Sequence, residues 1–261
     1  MAGFSVVIPA LNEEKYLPNL LRSLAEQTCK NFSVVVVDGA SKDNTVQVAQ
    51  EFGSRLADLK VIISPKANVS AQRNLGAQAA RGEWLVFLDA DSTVPPYFID
   101  LLEHFIGEQK PEFFTAWSAP DSQVGADALL ALVMNLILEG GLMAHRPVAP
   151  GALMAVRHDL FDHVGGFDET LTFAEDYDLT QRITAQGARL QILRETAYVV
   201  SLRRARKEGQ LRFGLFYAKA ILRVLFTNHG PRHTPSYVMG GQFFETTPAP
   251  DKRPLALGHK T

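Results

Sequence analysis

The stretch RGEWLVFLDADS, residues 81–92, sets the reading of the whole chain. Residues 84–88 are apolar without interruption, the mark of a strand buried on both faces. Two carboxylates follow at once, Asp89 and Asp91, with only Ala90 between them. Open α/β sheets gather their ligands just beyond the carboxyl ends of strands, so this pair stands where a ligand site belongs. Hard divalent ions such as Mg2+ and Mn2+ prefer carboxylate oxygens, commonly one or two of them completed by substrate phosphate and water. A D-x-D pair also serves as a turn or helix cap, so the segments around it decide its meaning.

Upstream, residues 4–8, 33–37 and 59–63 repeat the apolar, β-branched texture of 84–88. Between them, residues 17–24, 45–52 and 70–80 place apolar side chains at helical spacing. All-apolar strands separated by amphipathic helices predict an α/β fold with a mainly parallel sheet flanked by helices. Residues 1–92 then form a nucleotide-binding half. Downstream the texture is less regular: a helix over 97–106, a strand over 112–116, a long apolar helix over 127–138 and a strand over 152–156. A helix over 175–186 closed by Gly187, a strand over 189–193 and a last helix over 210–226 follow. Residues 93–245 make the second half of the same domain, and the proline-rich, polar segment 246–261 reads as a disordered tail.

Composition narrows the function classes. The chain has 261 residues, 46% hydrophobic and 21% charged, an ordinary globular make-up. Its net charge of -2 argues against a nucleic-acid partner, which needs a dense basic surface. Cys29 is the only cysteine, so no intramolecular disulfide forms and a cytoplasmic address is expected. The chain enters a strand-like run at residue 4 without a basic leader or long apolar core, so no signal peptide is read. The apolar stretches 129–144 and 213–226 fall short of the roughly 20 uninterrupted residues that cross a bilayer, and each carries polar residues, so both read as helices on protein or at a surface.

Three more segments complete the D-x-D: VVIPALNEE at 6–14, VVVDGASKDNT at 35–45 and AEDYDL at 174–179, with QRNLG at 72–76 leading into residues 81–92. In this order, over roughly residues 4–205, they resemble the inverting glycosyltransferase family 2 and its GT-A fold. The resemblance implies a donor that is a nucleoside-diphosphate sugar, UDP- or GDP-linked, and a divalent metal, Mg2+ or Mn2+. It implies that Pro9, Ala10 and Glu13 border the nucleoside and that Asp38 accepts a hydrogen bond from the base. Arg73 then reaches the acidic motif or the diphosphate, Asp89 faces the ribose, and Asp91 is the better direct metal ligand with Asp89 beside it. Asp176 stands at the position of the catalytic base, with Glu175 orienting it and Asp178 as a third choice. Gly151 and the turn at 165–166 resemble the acceptor-side floor.

Segment 201–207 corresponds to a loop that closes over the diphosphate in similar enzymes, where Arg203, Arg204 and Lys207 would meet phosphate oxygens. Those enzymes often carry a metal-binding histidine there. Ser201 or a neighbour stands in its place, so water would complete the metal's coordination.

Each position also has a plainer reading. Asp38 opens a turn, acids at the start of a helix complement its dipole, and basic side chains lie solvated on a surface. Rival functions are a nucleotidyltransferase, for which the glycine-rich phosphate loop is missing, and a catalytically silent sugar-nucleotide-binding or membrane-scaffold protein. A dehydrogenase is excluded by the lack of G-x-G-x-x-G after the first strand. The acceptor is expected to be a glycan or a lipid-linked molecule. Arg212, Lys219 and Arg223 interleave with the apolar residues of 211–226, which suits either an interfacial helix at the cytoplasmic face of a membrane or a helix packed on the sheet. The helix over 129–138 could join that contact or form a homodimer surface.

Overall fold

The computed structural model of the protein describes residues 3–171, 173–209 and 213. The apolar runs become β1 (Phe4–Ala10), β2 (Phe32–Asp38), β3 (Leu59–Ile63) and β4 (Trp84–Leu88), which pair with one another in parallel. The helices α1 (Leu17–Ala25), α2 (Thr45–Glu51) and α3 (Val69–Ala79) link them. Pro18 sits in the first turn of α1, where its missing N–H costs nothing. Asn68 caps α3 by accepting from the Ala71 N–H at 2.8 Å.

The second half adds α4 (Phe98–Gln109), β5 (Phe113–Pro120), α5 (Gly125–Met143), β6 (Leu153–Arg157) and α6 (His158–His163). It ends with α7 (Glu175–Ala185), β7 (Leu190–Val200) and α8 (Arg203–Glu208). Both halves share one seven-stranded sheet of order β3-β2-β1-β4-β6-β5-β7, in which β6 alone runs against its neighbours. Because β6 is antiparallel, its first residue, Leu153, pairs with the last residue of β4, Leu88. Gly151 is thereby brought to the edge of the sheet where Asp89 begins.

Side chains alternate between two cores, as strand geometry requires. Val6, Ile8, Val86 and Leu88 point to the face covered by α1 and α4, where Leu17, Leu20, Leu24 and Phe98 are buried. Val7, Leu85 and Phe87 point to the other face with Phe161, Phe167, Leu179 and Ile183. Burial on both sides is why these strands lack a polar alternation.

Three elements differ from the sequence expectation. β7 runs to Val200 instead of ending at 193, because exposed Arg194 and Glu195 break the apolar pattern while the pairing with β5 shifts register and continues. α5 is longer than 127–138 and passes through Gly140 and Gly141. The basic segment read as a loop at 201–207 is helical from Arg203. The helix expected over 210–226 and the tail over 246–261 lie outside the described residues, apart from Phe213, which is buried beside Leu130 and Met134 of α5.

Candidate active site

The loops after β1 and β2 are stitched together before any ligand arrives. The Asn12 N–H donates to Ser41 Oγ (2.8 Å), the Glu13 N–H to Thr45 Oγ1 (2.7 Å) and the Lys42 N–H to Asn12 Oδ1 (2.7 Å). From α3, the buried Gln72 amide donates to the carbonyls of Ala10 (2.8 Å) and Val37 (2.7 Å), tying both strand ends to the helix. Asn12 and Ala40 hold φ of +52° and +61°, and Ala174, just before α7, holds +59°. Left-handed backbone at non-glycine residues costs about 1 kcal/mol or more, and three of the five such residues described fall on loops next to one crevice, Lys110 and His145 lying elsewhere.

That crevice is a cavity of about 330 Å³ at the carboxyl end of the sheet. Pro9, Ala10, Glu13, Arg73, Asp89, Ala90, Asp91, Glu175, Asp176, Arg203 and Arg204 all line it, although they come from five separate parts of the sequence. Asp38 and Lys207 are not among the lining residues. Asp38 is buried, and its carboxylate accepts from the Ser41 N–H (2.9 Å) and from the Ser41 hydroxyl. Its observed work is to close its own turn. Asp178 pairs with Arg182 one turn along α7.

Arg73 is the pin of the site. Only 3% exposed, it donates to Glu175 Oε1 at 2.8 Å and to Asp89 Oδ1 at 3.0 Å, with its guanidinium 5.2 Å from the centre of the Phe167 ring. It therefore joins α3, the D-x-D and α7, and of the two roles the sequence left open, the structure shows contact with the acids. Gly151 makes room for it: a Cβ there would lie 2.3 Å from Arg73 Nη2. The neighbouring Asn74 pins the 166–167 turn, donating to the Phe167 carbonyl (2.9 Å) and accepting from its N–H (2.8 Å).

Asp176 sits in the first turn of α7. One oxygen accepts from the Gly151 N–H at 3.1 Å, the other from its neighbour Tyr177 at 2.7 Å. Burial, with Glu175 adding repulsion, pushes its pKa up to about 6 against the pull of Arg73. A carboxylate poised near neutrality is a proton acceptor with usable basicity.

Across the cavity, Arg203 reaches down from α8. It grips Glu13 with two bonds of 3.0 and 2.5 Å, lies 3.1 Å from Asp91 Oδ2 and stacks 4.2 Å from the Tyr16 ring centre. Burial drives Glu13 up to about 7 and Asp91 up to about 6 despite the arginine. α8 is itself clamped: Arg206 binds both oxygens of Asp121 at 2.7 Å and Asp127 at 2.8 Å, while Asp121 accepts from the Leu202 N–H. Sequence reasoning missed Gln72, Asp121, Asp127 and Arg206. The partners just named lie between 35 and 85 residues away, and no local pattern announces them.

Among the described residues, the one cluster of three ligand-type side chains close enough to share an ion is Cys29, Asp100 and Glu103, away from the cavity. The D-x-D offers two carboxylates at the cavity wall, a donor set that suits Mg2+ or Mn2+ when a diphosphate supplies further oxygens.

The sequence profile of glycosyl transferase family 2 matches residues 5–164, from β1 through α6. An uncharacterized glycosyltransferase of Haemophilus influenzae is 27% identical over 186 residues, 69% of this chain and 61% of that one. Staphylococcus aureus TarS, solved in complex with UDP-GlcNAc, superimposes with a TM-score of 0.65 at 26% identity, over 76% of this chain and 58% of the other. A mannosyltransferase from Pyrobaculum calidifontis, solved with GDP-Man and Mn2+, gives a TM-score of 0.66 at 21% identity over 88% and 66%, a likeness of fold. This chain thus spans less than two thirds of each of these proteins. With the profile covering more than half of its length and the sheet matching solved glycosyltransferases, the chain belongs to glycosyl transferase family 2 and has the GT-A fold.

Proposed function

We propose that this protein transfers a sugar from a nucleoside-diphosphate sugar to an acceptor hydroxyl with inversion at the anomeric carbon. The observation that carries the reading is the placement of Asp176, a carboxylate with raised pKa, in the same cavity as the D-x-D pair, with Arg73 bridging its neighbour Glu175 to Asp89. The acceptor O–H gives its proton to Asp176 while its oxygen bonds to the anomeric carbon, and the bond from that carbon to the diphosphate breaks on the opposite face. Glu175 and Arg73 hold the carboxylates in register. Asp91, with Asp89, would hold the divalent ion, which when bound supplies charge neutralisation to the diphosphate. Arg204 adds a cation at the rim, and the Pro9–Ala10 edge forms the nucleoside wall, with Asp38 acting through the loop it fixes.

Relatives support both UDP- and GDP-linked donors, since TarS is solved with UDP-GlcNAc and the mannosyltransferase with GDP-Man and Mn2+. The lone Cys29 fits an address in the cytoplasm. Asp91→Ala tests the site. Calorimetry with UDP- and GDP-sugars should show donor binding that Mn2+ strengthens in the wild type and not in the variant. Unchanged Mn2+ dependence would make the D-x-D a structural turn. A donor that binds the wild type without release of free nucleoside diphosphate would favour a silent binding protein.

A further inference from the structure

α5 is amphipathic the wrong way round for a surface helix. Its polar side chains, Asp127, Asn135 and Glu139, all turn toward the protein. Asp127 is held by Arg206 and by the Ser122 hydroxyl (2.5 Å), and Asn135 exchanges bonds of 3.0 Å with the backbone of Ser118. Glu139 accepts from Trp117 Nε1 at 3.2 Å and from Arg194 at 2.9 Å. Every exposed residue from 124 to 144 is Val, Gly, Ala, Leu or Met. Leu129, Leu132 and Leu136 fall at helical spacing and are 61%, 52% and 57% exposed, and Met143 is 82% exposed. Solvated helices normally show the opposite arrangement.

The helix is 19 residues long with mean hydropathy 1.6, enough by length and composition to cross a membrane. Its anchors to Ser118, Trp117, Arg194 and Arg206, spread along the inner face, tie it instead along the edge of the protein.

We propose that the outward stripe of α5 docks on a lipid surface, with the helix lying in the plane of the interface. A protein partner would need roughly one hydrogen bond per 100–200 Å² and a polar rim, and this stripe offers no polar side chain. The acyl region asks for none. A cation stands at the margin, since Arg146 follows the helix. A basic side chain beside an apolar face suits anionic headgroups. Met134 also lines the cavity together with Val200, Leu202 and Phe213, so the helix that meets lipid contributes to the cavity's apolar wall. Resting on the glycosyltransferase reading, this makes the acceptor a lipid-linked molecule whose hydroxyl enters beside that wall.

Flotation of the full chain with vesicles of phosphatidylcholine, alone or mixed equally with phosphatidylglycerol, tests the docking. The wild type should rise with the mixed vesicles at low salt. Leu132→Glu/Leu136→Glu should lower that partitioning by about 10-fold or more while donor binding and the melting transition stay as in the wild type. If that variant loses its transition, Leu132→Ser/Leu136→Ser replaces it. A wild type that floats with neither vesicle overturns the proposal, as does a variant that floats equally well. A wild-type dimer that the variant dissolves, without flotation, hands the stripe to a second copy and also overturns it. Flotation without donor turnover under any condition would remove the transferase reading and leave the docking standing.

Discussion

Asp176 combines two properties that pull in opposite directions. Burial raises its pKa to about 6, which suits a base, and the same burial makes its ionised form unfavourable in the folded chain. The fold therefore favours the protonated form. Its stabilising effect is complete below the ordinary carboxylate range and disappears as pH rises through about 6. Asp176→Asn should lower transfer by at least ~10²-fold with donor binding kept, the low end for a positioned base. At pH 7.5 the variant should melt a few degrees higher, about 1 kcal/mol for a chain of this size, since the amide carries no charge and loses one of two accepted bonds. At pH 5 that advantage should vanish, because Asp176 is then protonated in the wild type too. Wild-type transfer should fall to half its plateau near pH 6. A profile flat down to pH 4.5, or near-normal transfer by the variant, would take base catalysis away from this residue.

At the scale of elements, the site depends on the antiparallel insertion of β6 between β4 and β5. Only that direction places the approach to β6 against the exit of β4, and so Gly151 between Arg73 and Asp176. Gly151→Ala sets a methyl group 2.3 Å from Arg73 Nη2, a contact that nothing tolerates without movement. Arg73 should shift from the D-x-D, donor affinity should fall, and transfer should drop about 10-fold or more, since misplacement of about 1 Å can cost that much. Circular dichroism should stay native, because the methyl meets a side-chain tip and not the core. Wild-type kinetics in this variant would mean that the Arg73 bridge is dispensable. α7 was legible from AEDYDL, whereas the direction of β6 was not: strand direction is set by which neighbour has an open edge, and the apolar run over 152–156 reads the same either way.

At the scale of the molecule, Arg203 closes the structure across 190 residues to Glu13 and 112 to Asp91. Breaking a buried pair by removing one partner leaves the other charge uncompensated, typically at a cost of about 3–5 kcal/mol. Arg203→Met should therefore destabilise the protein by about 3 kcal/mol at pH 8. Below pH 7 part of that loss should return, because Glu13, with a pKa already near 7, sheds its charge by taking up a proton. In urea titrations an equal loss at pH 6 and pH 8 would count against this account. The same change frees an oxygen of Asp91, so Mn2+ should bind the nucleotide-free variant more tightly than the wild type, as measured by electron paramagnetic resonance. Weaker Mn2+ binding would mean that Arg203 orients Asp91 instead of occupying it.

What the sequence by itself determined is the set of buried strands, the helices between them and the carboxylates at the strand ends. These follow from short-range periodicity, since burial on both faces of a strand demands an apolar run wherever the strand lies. The family motifs carried the same information for Asp89, Asp91 and Glu175-Asp176, each read within a few residues. Tertiary structure alone decided which charges meet. Arg203, expected to meet phosphate, also binds Glu13 and Asp91, and Asp38, expected to meet the base, also accepts from the Ser41 N–H of its own turn. α8 carried no apolar period, and it forms under the clamp of Asp121 and Asp127 on Arg206. An ion pair depends on the approach of side chains remote in sequence, and that approach is set by sheet order and strand direction, which a local pattern of polar and apolar residues does not encode.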